Sequence, residues 1–483
     1  MELTQNTARF AAELGYDDIP QRIHRKTKDQ ILSVLGASHA GRHSEGAVSA
    51  LEAARTWGSG DEATAWLGGE RLPRHSAIFA NACASVSFDF DDYVFAGHTG
   101  HSAVCASFAY GELQRASGKD VLAAITVGNE VGGRLGASLL FGPQNGQMWS
   151  YIHVLEAACI ASRFHRLNAT QTANAIGIAF TQPPYALMPA FMGPDSKLLI
   201  PSSTTVDGCR AAELAARGWT GNTSIIEDRQ GFLEKFNTNN MGWFLSGYGD
   251  AWLSDTMTIK VVPGCAYVDT AVDAFRSIQG EIRRPLDEIE RIDVKCGMFT
   301  SGMEAFSHMY RSADRLEPIT INFSVALSIG LMLVAGGLEP EFLSHKYLDA
   351  NREAIEEAAK LITITHDSEM DARSGKASES KGFSLGSVLS KKSLEGVSFE
   401  EYVMSFASAV TITTKDGTTY EASQDVPLGA AGRPVEETAE LVREKFLRNY
   451  AGDAKRAQEA LDAVDRLEEI DDVGTIAPLL AAG

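Results

Sequence analysis

The stretch Ala409-Val-Thr-Ile-Thr-Thr-Lys-Asp-Gly-Thr-Thr-Tyr-Glu421 predicts a β-hairpin. β-Branched residues lie on both sides of Asp416-Gly417, and Asp-Gly favours the tight turns that join antiparallel strands. Strand-like runs precede it at 258–262, 289–294 and 361–365, and helical runs lie between them at 271–278 and 321–334. Strands mixed with helices, some joined by a tight hairpin, predict an α/β module with an antiparallel component over roughly 255–425.

The chain on either side of this module has helical patterns. A helix is predicted after Asp18-Ile-Pro20, because apolar or small residues then recur every four positions, at Ile23, Thr27, Ile31 and Leu35. Asn168 and Gln171 predict a capping box for a second helix. The tail from Pro434 returns to helix and is expected to pack back on the first region. Ser, Gly and Lys are frequent in 367–392, which predicts a mobile surface loop.

The composition excludes several classes of protein. With 483 residues, 44% of them hydrophobic, the chain can bury a large core and is expected to form two or three domains. A formal charge of -20 disfavours nucleic acid and anionic membranes, because clustered Lys and Arg bind both. The sequence shows no basic-then-apolar leader, and its most apolar run, 321–335, is too short for a bilayer. We therefore expect a cytoplasmic protein without nucleic-acid or membrane partners.

Common cofactor and hydrolase motifs are missing from the sequence. The six cysteines are scattered singly, without C-x-x-C spacing, and there is no H-E-x-x-H. Glycines at 41–46 and 128–136 lack the spacing of nucleotide-binding loops. No G-x-S-x-G elbow is present. We therefore expect neither a metal site nor a nucleotide site nor a serine hydrolase.

The densest polar cluster is Ser87-Phe-Asp-Phe-Asp-Asp-Tyr-Val-Phe-Ala-Gly-His-Thr-Gly-His-Ser102. It contains Asp89, Asp91, Asp92, Tyr93, His98 and His101. A carboxylate beside an imidazole fixes its tautomer and raises its basicity, which suits proton abstraction next to a carbonyl or carboxylate. The pattern also fits a helix end capped by Asp, with the histidines in turn positions. Both interpretations stay open at this point.

Two lysines lie in turns that lead into apolar stretches. Lys197 follows Gly193-Pro-Asp-Ser, and Lys260 precedes a Pro-Gly turn. Lysines usually point to water, so the ordinary interpretation is a solvated side chain and a strand end. A buried Lys197 would instead bind a substrate carboxylate or act as a base with a lowered pKa.

These segments together resemble the MmgE/PrpD family. Asp89-Phe-Asp-Asp-Tyr93, followed by His101-Ser-Ala, is similar to the family's D-F-D-D-T-H and H-P-S/A. Lys197 matches a family lysine before a small-residue helix. Further motifs match in order along nearly the whole chain, at Glu227-Asp-Arg-Gln-Gly-Phe-Leu233, Lys260-Val-Val-Pro-Gly-Cys265 and Asn322-Phe-Ser-Val-Ala326.

The resemblance implies a fold of α plus α/β class. A large all-α domain would be built from both termini, 1–254 and 426–483, with a smaller α/β lid domain inserted at 255–425. It implies an active site in the cleft between them, a homodimer and no cofactor. By the resemblance, Asp89, Tyr93, His101, Lys197 and Lys260 line this cleft. With the neighbouring residues of this sequence included, we predict as catalytic Asp89, Asp92, Tyr93, His98, His101 and Lys197. We predict as substrate-binding Lys260, Tyr267, Gln147 and His153.

Several positions depart from the family pattern. Tyr93 stands where the family often has Thr, and His98 is an extra histidine in a slightly longer span. Gln147 stands where relatives carry a histidine, and Cys265 with Tyr267 replaces another. Several groups that serve tricarboxylates in the family are therefore missing, and we expect a different substrate.

The resemblance implies a cofactor-independent lyase, of dehydratase or decarboxylase type, acting on a small organic acid. His101, oriented by Asp89 or Asp92, would exchange a proton at the carbon next to a carboxylate or carbonyl. Lys197 and Lys260 would neutralise carboxylate charge, and Tyr93 or Tyr267 would donate a proton. The alternative is an epimerase or isomerase of a small carboxylate, which the replaced histidines favour. A further alternative is a non-catalytic family member that binds an organic acid.

Overall fold

The computed structural model describes residues 2–142, 149–237, 239, 241–280 and 288–482. The helices of the first half are α1 (Leu3–Glu13), α2 (Gln21–Ala40), α3 (Glu45–Ala54), α4 (Arg74–Val86), α5 (Gly100–Gln114), α6 (Gly118–Ser138), α7 (Trp149–Phe164), α8 (Ala169–Ala179), α9 (Met188–Phe191), α10 (Leu199–Ala216) and α11 (Phe232–Phe236). The helices of the second half are α12 (Asp269–Gln279), α13 (Met298–Met309), α14 (Pro318–Asn322), α15 (Val325–Ala335), α16 (His345–Ala359), α17 (Ser368–Ala377), α18 (Val435–Asn449), α19 (Ala454–Asp465) and α20 (Ala477–Leu480). The strands are β1 (Ala63–Thr64), β2 (Arg71–Leu72), β3 (Asp92–Val94), β4 (Met257–Ile259), β5 (Ile289–Cys296), β6 (Ile362–His366), β7 (Ser408–Thr414) and β8 (Thr419–Gln424). The described chain is mostly helical, with small sheets.

The first half is a dense assembly of helices, and the chain's last helices return to it. α8 begins at the predicted capping box, with Asn168 accepting from the Gln171 N–H and the Gln171 side chain accepting in return. α18 packs along α2, where Val442 and Phe446 share a buried cluster with Ile31 and Leu35. The predicted return of the tail to the first region is confirmed.

The second half contains a four-stranded sheet in the order β6-β5-β7-β8. β5 and β6 are parallel, whereas β5, β7 and β8 pair antiparallel. The predicted hairpin is therefore confirmed, with Gly417 at φ +86° in the turn and Asp416 accepting from the Thr418 N–H. α12 packs on β7 and β8, and the apolar side of the sheet closes over α12 and α15.

Two predictions for this half are wrong in part. The helix predicted at 321–334 is interrupted, because Ser324 is a helix N-cap whose Oγ accepts from the Leu327 N–H. The loop predicted at 367–392 begins with α17, which Asp367 caps in the same way. α15 has only 11 residues, and none of the described helices is both long and apolar enough to cross a membrane.

Candidate active site

The polar cluster of residues 87–102 lies between the end of α4 and the start of α5. Asp89 takes φ +49°, a left-handed conformation that Asp tolerates better than most residues. β3 follows and pairs antiparallel with β4, so that Asp92 is opposite Ile259. One position further, the Lys260 N–H donates to the Asp91 carbonyl at 3.0 Å. This pairing brings together Asp91 and Lys260, which are 169 residues apart in the sequence.

Asp91 connects one lysine to two histidines. Its Oδ1 accepts from Lys260 Nζ at 2.6 Å, and its Oδ2 accepts from His98 Nδ1 at 2.6 Å and His101 Nε2 at 3.0 Å. Burial alone would raise the pKa of Asp91, but the charge of Lys260 and the hydrogen bonds from His98 and His101 together outweigh burial and hold that pKa well below its usual range. Burial also disfavours the charge on Lys260, yet Asp91 raises the pKa of Lys260 above its ordinary value. We call Asp91, His98 and Lys260 the cavity cluster.

The two histidines bound to Asp91 differ in exposure. The His98 side chain is 12% exposed and that of His101 is 0% exposed. Burial lowers the pKa of His98 to about 4, although Asp91 pulls it upward. The His98 ring is therefore neutral at pH 7. His101 is fully buried and donates to Asp91 through Nε2, and its Nδ1 hydrogen-bonds the Ser85 hydroxyl at 2.8 Å.

A second ion pair lies next to the cavity cluster. Lys197 Nζ is 2.5 Å from Asp89 Oδ1, and both side chains are buried. Nζ also lies 5.1 Å and 5.3 Å from the ring centroids of Phe191 and Phe323. Burial lowers the pKa of Lys197, and the charge of Asp89 opposes that shift. A lysine in this position can neutralise part of the charge of an anion that binds beside the Lys197–Asp89 pair.

Asp89, His98 and Lys260 line a cavity of 440 Å³, and their partners Asp91 and Lys197 contact them without lining it. The polar lining residues are Asp89, Tyr93, His98, Lys260 and Tyr267. Apolar lining comes from Met188, Phe191 and Phe323 and from one face of α13. Burial raises the pKa of both phenols, Tyr93 and Tyr267, so each keeps a proton that it can donate. The cavity thus places a base, two phenols and buried cations around a space of small-molecule size.

Other predicted site residues lie behind the cavity wall. Asp92 Oδ2 accepts from Gln30 Nε2 at 2.6 Å, within a buried network that includes Thr99 and Asn129. Burial and the neighbouring Asp91 raise the pKa of Asp92 to about 6. Neither Asp92 nor His101 is among the residues that line the cavity. Their position indicates that they hold the cavity cluster in place.

His153 belongs to a separate buried group that we call the rear cluster, namely Ser102, His153 and Glu156. The His153 ring centroid is 5.9 Å from that of His101, and its Nδ1 is 2.7 Å from Ser102 Oγ. Ser102 also donates to Glu156 Oε2. Burial lowers the pKa of His153 well below its ordinary value and raises that of Glu156 well above its own. Gly132 leaves room for this carboxyl, because a Cβ there would lie 1.7 Å from Glu156 Oε1.

The structure adds two residues that the sequence predictions did not select. Asp91 lies in the predicted cluster, but its chemistry depends on Lys260, whose proximity no local pattern reveals. Lys445 on α18 donates to the carbonyls of Phe90 at 2.6 Å and Lys260 at 3.0 Å, and so fixes the backbone beneath the cavity cluster. Nothing in the helical pattern of α18 distinguishes this lysine. Gln147 lies outside the described residues.

Within the described ranges, no set of three or more His, Cys, Asp and Glu side chains is arranged to hold a metal ion.

Comparison with known proteins gives matches over most of the chain. The MmgE/PrpD N-terminal domain matches residues 5–242, and the MmgE/PrpD C-terminal domain matches residues 262–469. Cis-aconitate decarboxylase of Mus musculus is 24% identical over 468 residues, which cover 92% of this chain and 86% of the mouse protein. Cis-aconitate decarboxylase of Homo sapiens is 28% identical over 309 residues, covering 60% of this chain and 63% of the human protein.

A fungal protein is similar over a shorter span. The cis-aconitate decarboxylase-like protein oryM of Aspergillus oryzae is 26% identical over 251 residues, which cover 49% of this chain and 52% of that protein. The two domain matches together extend from residue 5 to residue 469 and account for both the helical region and the mixed region. The chain belongs to the MmgE/PrpD family.

Proposed function

We propose that the protein is a lyase that acts on a small carboxylate by exchanging a proton at the carbon next to a carboxylate or carbonyl. One observation carries the proposal: the hydrogen-bonded series Lys260–Asp91–His98 ends at the wall of the 440 Å³ cavity. An imidazole oriented by an ionised carboxylate is suited to proton transfer. The names of the similar proteins support the lyase class.

Each residue has a role in this proposal. Asp91 accepts the Nδ1–H of His98 and so directs Nε2 to exchange the proton with carbon. Lys197 neutralises a substrate carboxylate that lies beside Asp89. Tyr93 and Tyr267 keep their protons and donate to oxygen atoms that gain charge. A positioned donor in a low-dielectric site contributes about 3 kcal/mol to lowering the barrier.

Decarboxylation is the first candidate among the lyase reactions. The bond between carbon and the carboxylate breaks, carbon dioxide leaves, and the electron pair stays on carbon. A proton carried by His98 then forms the new C–H bond. The net reaction consumes one proton from solvent, so His98 is reprotonated in each cycle. The names of the human and mouse proteins support this choice over dehydration.

Epimerisation or isomerisation is the second candidate, and the state of His98 favours it. Because the pKa of His98 is lowered to about 4, the free enzyme holds a neutral imidazole that is ready to remove a proton. His98 is also the one histidine among the described residues that line the cavity. A proton removed by His98 and returned by it to another carbon would shift a double bond, and delivery of a proton to the opposite face by Tyr93 or Tyr267 would invert a stereocentre, in both cases without loss of mass.

Product mass separates these reactions. Small unsaturated and hydroxylated carboxylates are incubated with the enzyme in deuterium oxide and followed by proton NMR and mass spectrometry. A lyase changes the mass by carbon dioxide or water, whereas an epimerase leaves the skeleton intact and incorporates deuterium. Compounds that shift the melting temperature but never exchange a proton would instead favour a non-catalytic binding protein.

Three further expectations stay predictions. The homodimer is tested by light scattering, the cytoplasmic location by microscopy of a tagged protein, and cofactor independence by activity after chelation and dialysis.

A further inference from the structure

α13 presents an apolar face to the cavity, and Met303 and Phe306 on that face also pack against the core beneath it. Met298, Phe299, Gly302, Met303 and Phe306 line the cavity, and their offsets of one, four, five and eight positions from Met298 define one side of the helix. Met298 is 59% exposed and Phe299 is 50% exposed. Large apolar side chains in a row are usually covered, because leaving them in water is unfavourable. A ligand in the cavity is placed to cover this face.

The apolar space continues beyond the cavity cluster. An adjoining cavity of 220 Å³ shares six lining residues with the first, namely Phe95, Ala96, Tyr267, Met298, Phe299 and Phe406. Tyr267 stacks on Phe299 with ring centroids 5.3 Å apart, between the two spaces. The shared residues are apolar apart from the Tyr267 hydroxyl, and Asp371, Ser374 and Ser378 line the far part of the adjoining cavity.

The buried ion pairs at the cavity have little capacity for additional negative charge. Lys197 pairs with Asp89 at 2.5 Å, and Lys260 pairs with Asp91 at 2.6 Å. None of the described residues that line either cavity is an arginine. A first ligand carboxylate can share Lys197 with Asp89, but Lys197 and Lys260 leave little positive charge for two more, so a tricarboxylate is less favourable than a ligand with fewer charges.

We propose that the substrate is a carboxylate with an apolar substituent, alkyl or aryl, which lies along α13 while its carboxylate end faces Lys197 and His98. This proposal rests on the proposed function for the identity of the reacting end. It deepens that function by naming the substrate class. A carboxylate with no such substituent would leave the apolar face of α13 uncovered.

Binding of unreactive probes tests the apolar substituent separately from catalysis. Succinate, butylsuccinate, hexylsuccinate and octylsuccinate are titrated by calorimetry, with tricarballylate as the tricarboxylate probe. Burial of one methylene is worth about 0.8 kcal/mol, so we expect Kd to fall about fourfold per added methylene until the cavity is full. A Kd independent of chain length, or tighter binding of tricarballylate than of hexylsuccinate, would overturn the proposal.

Gly302 offers a variant that fills the cavity without disturbing the helix. A Cβ at Gly302 meets nothing within 4 Å, and leucine favours helix more than glycine does. Gly302→Leu should leave the Kd of succinate unchanged. It should raise the Kd of octylsuccinate, so that Kd no longer depends on chain length. An unchanged dependence would show that the alkyl chain lies elsewhere.

A matched pair on α13 provides a second measurement. Met303 lines the cavity, whereas Met309 on the same helix is 71% exposed and does not. Met303→Gln should raise the Kd of hexylsuccinate about tenfold, since the polar amide replaces a contact with the alkyl chain. The Met309→Gln variant should bind hexylsuccinate with the Kd of the unmodified protein. Equal effects of the two substitutions would contradict the assignment.

The two proposals fail in different ways. If alkylsuccinates bind with the expected dependence but alkyl-substituted unsaturated carboxylates neither lose mass nor exchange deuterium, the substrate class stands and the proposed function falls. If cis-aconitate itself loses carbon dioxide as fast as its alkyl-substituted forms, the function stands and the inference falls.

Discussion

The cavity cluster and the rear cluster are both buried groups of histidine and carboxylate, yet they differ in charge. In the cavity cluster, Lys260 lies 2.6 Å from Asp91 and holds the pKa of that carboxyl well below its usual range. In the rear cluster, burial raises the pKa of Glu156 well above its ordinary value, and no lysine or arginine pairs with it among the described residues. A buried lysine and two donating imidazoles thus keep Asp91 ionised, whereas Glu156 has no such set of partners among the described residues.

Because of this difference, we expect the cavity cluster to take part in catalysis and the rear cluster to stabilise the fold. An ionised Asp91 accepts N–H donors from His98 and His101 and so fixes both rings. A protonated Glu156 interacts with Ser102 and adds packing and hydrogen bonding without charge. The cavity cluster also reaches the cavity through His98, whereas the side chains of His153 and Glu156 are 0% exposed. The comparison predicts that substitutions in the first cluster affect turnover and substitutions in the second affect stability.

The largest effect is expected for Asp91→Asn. An amide oxygen in the place of Oδ2 can still accept from both imidazoles, but the amide NH2 then faces the Lys260 ammonium, donor against donor, and Lys260 is left buried without a counter-charge. By analogy with the amide substitution of a catalytic carboxylate, we expect kcat to fall about 10⁴-fold. The measurement is steady-state turnover, with circular dichroism to confirm that the variant is folded at the assay temperature.

Asp92→Asn is the matched control. Asp92 is adjacent and equally buried, but it accepts from Gln30 and makes no hydrogen bond to His98 or Lys260 among the described contacts. We expect its kcat to stay within about tenfold of the unmodified enzyme, since an amide oxygen can still accept that bond. Equal losses in the two variants would mean that Asp91 has no special role.

The next effect distinguishes His98 from His153. His98→Gln removes the proposed proton-exchanging group, and general acid or base catalysis typically contributes about 10²- to 10⁴-fold. His153→Gln keeps a hydrogen-bonding side chain beside Ser102 and should lower kcat less than about tenfold. If His153→Gln were as damaging as His98→Gln, the rear cluster would have to be counted as catalytic machinery.

The pH dependence tests the direction of proton transfer. The pKa of His98 in the free enzyme is lowered to about 4 by burial. If protonated His98 delivers the proton in decarboxylation, kcat/KM should fall about tenfold per pH unit between about pH 5 and pH 8, because the protonated fraction falls with pH above the pKa. A flat profile over that range would instead show neutral His98 acting as a base and would favour epimerisation. A change of slope in the pH profile of kcat/KM near the ordinary histidine pKa of about 6.5 would contradict the burial of His98.

The sequence predicted part of this arrangement, and the limits have physical causes. The hairpin at Asp416-Gly417 and the cap at Asn168 depend on neighbouring residues, and both were correct. The cluster at 87–102 was located, but the sequence prediction gave the proton exchange to His101, oriented by Asp89 or Asp92, whereas the histidine that lines the cavity is His98 and its partner is Asp91. Which histidine lines the cavity depends on the left-handed turns at Asp89 and Phe95, with φ values of +49° and +55°. The partner of Asp91 depends on the pairing of β3 with β4, which joins distant segments.

A smaller catalytic effect is expected for Lys197→Met. Methionine preserves the apolar stem but removes the charge that we propose for the substrate carboxylate, so kcat/KM should fall about 10²-fold. Asp89 would then be buried without its cation. The double variant Asp89→Asn/Lys197→Met removes both charges and should recover stability without recovering activity. Full activity in Lys197→Met would contradict the role of Lys197 in substrate binding.

The smallest effect on turnover is expected for Glu156→Gln, which tests the rear cluster through stability. Because burial raises the pKa of Glu156 well above 4.5, the folded state keeps its proton at pH values where the unfolded state loses it. The unfolded state then binds fewer protons, so the free energy of unfolding falls as pH rises above the unfolded pKa. The amide that replaces this carboxyl has no proton to lose, so the variant should gain stability relative to the unmodified protein as pH rises from about 5 to about 8, with kcat nearly unchanged. Urea unfolding at both pH values measures the difference. A constant difference would mean that Glu156 is ionised in the folded protein, and the contrast in charge between the two clusters would then be wrong.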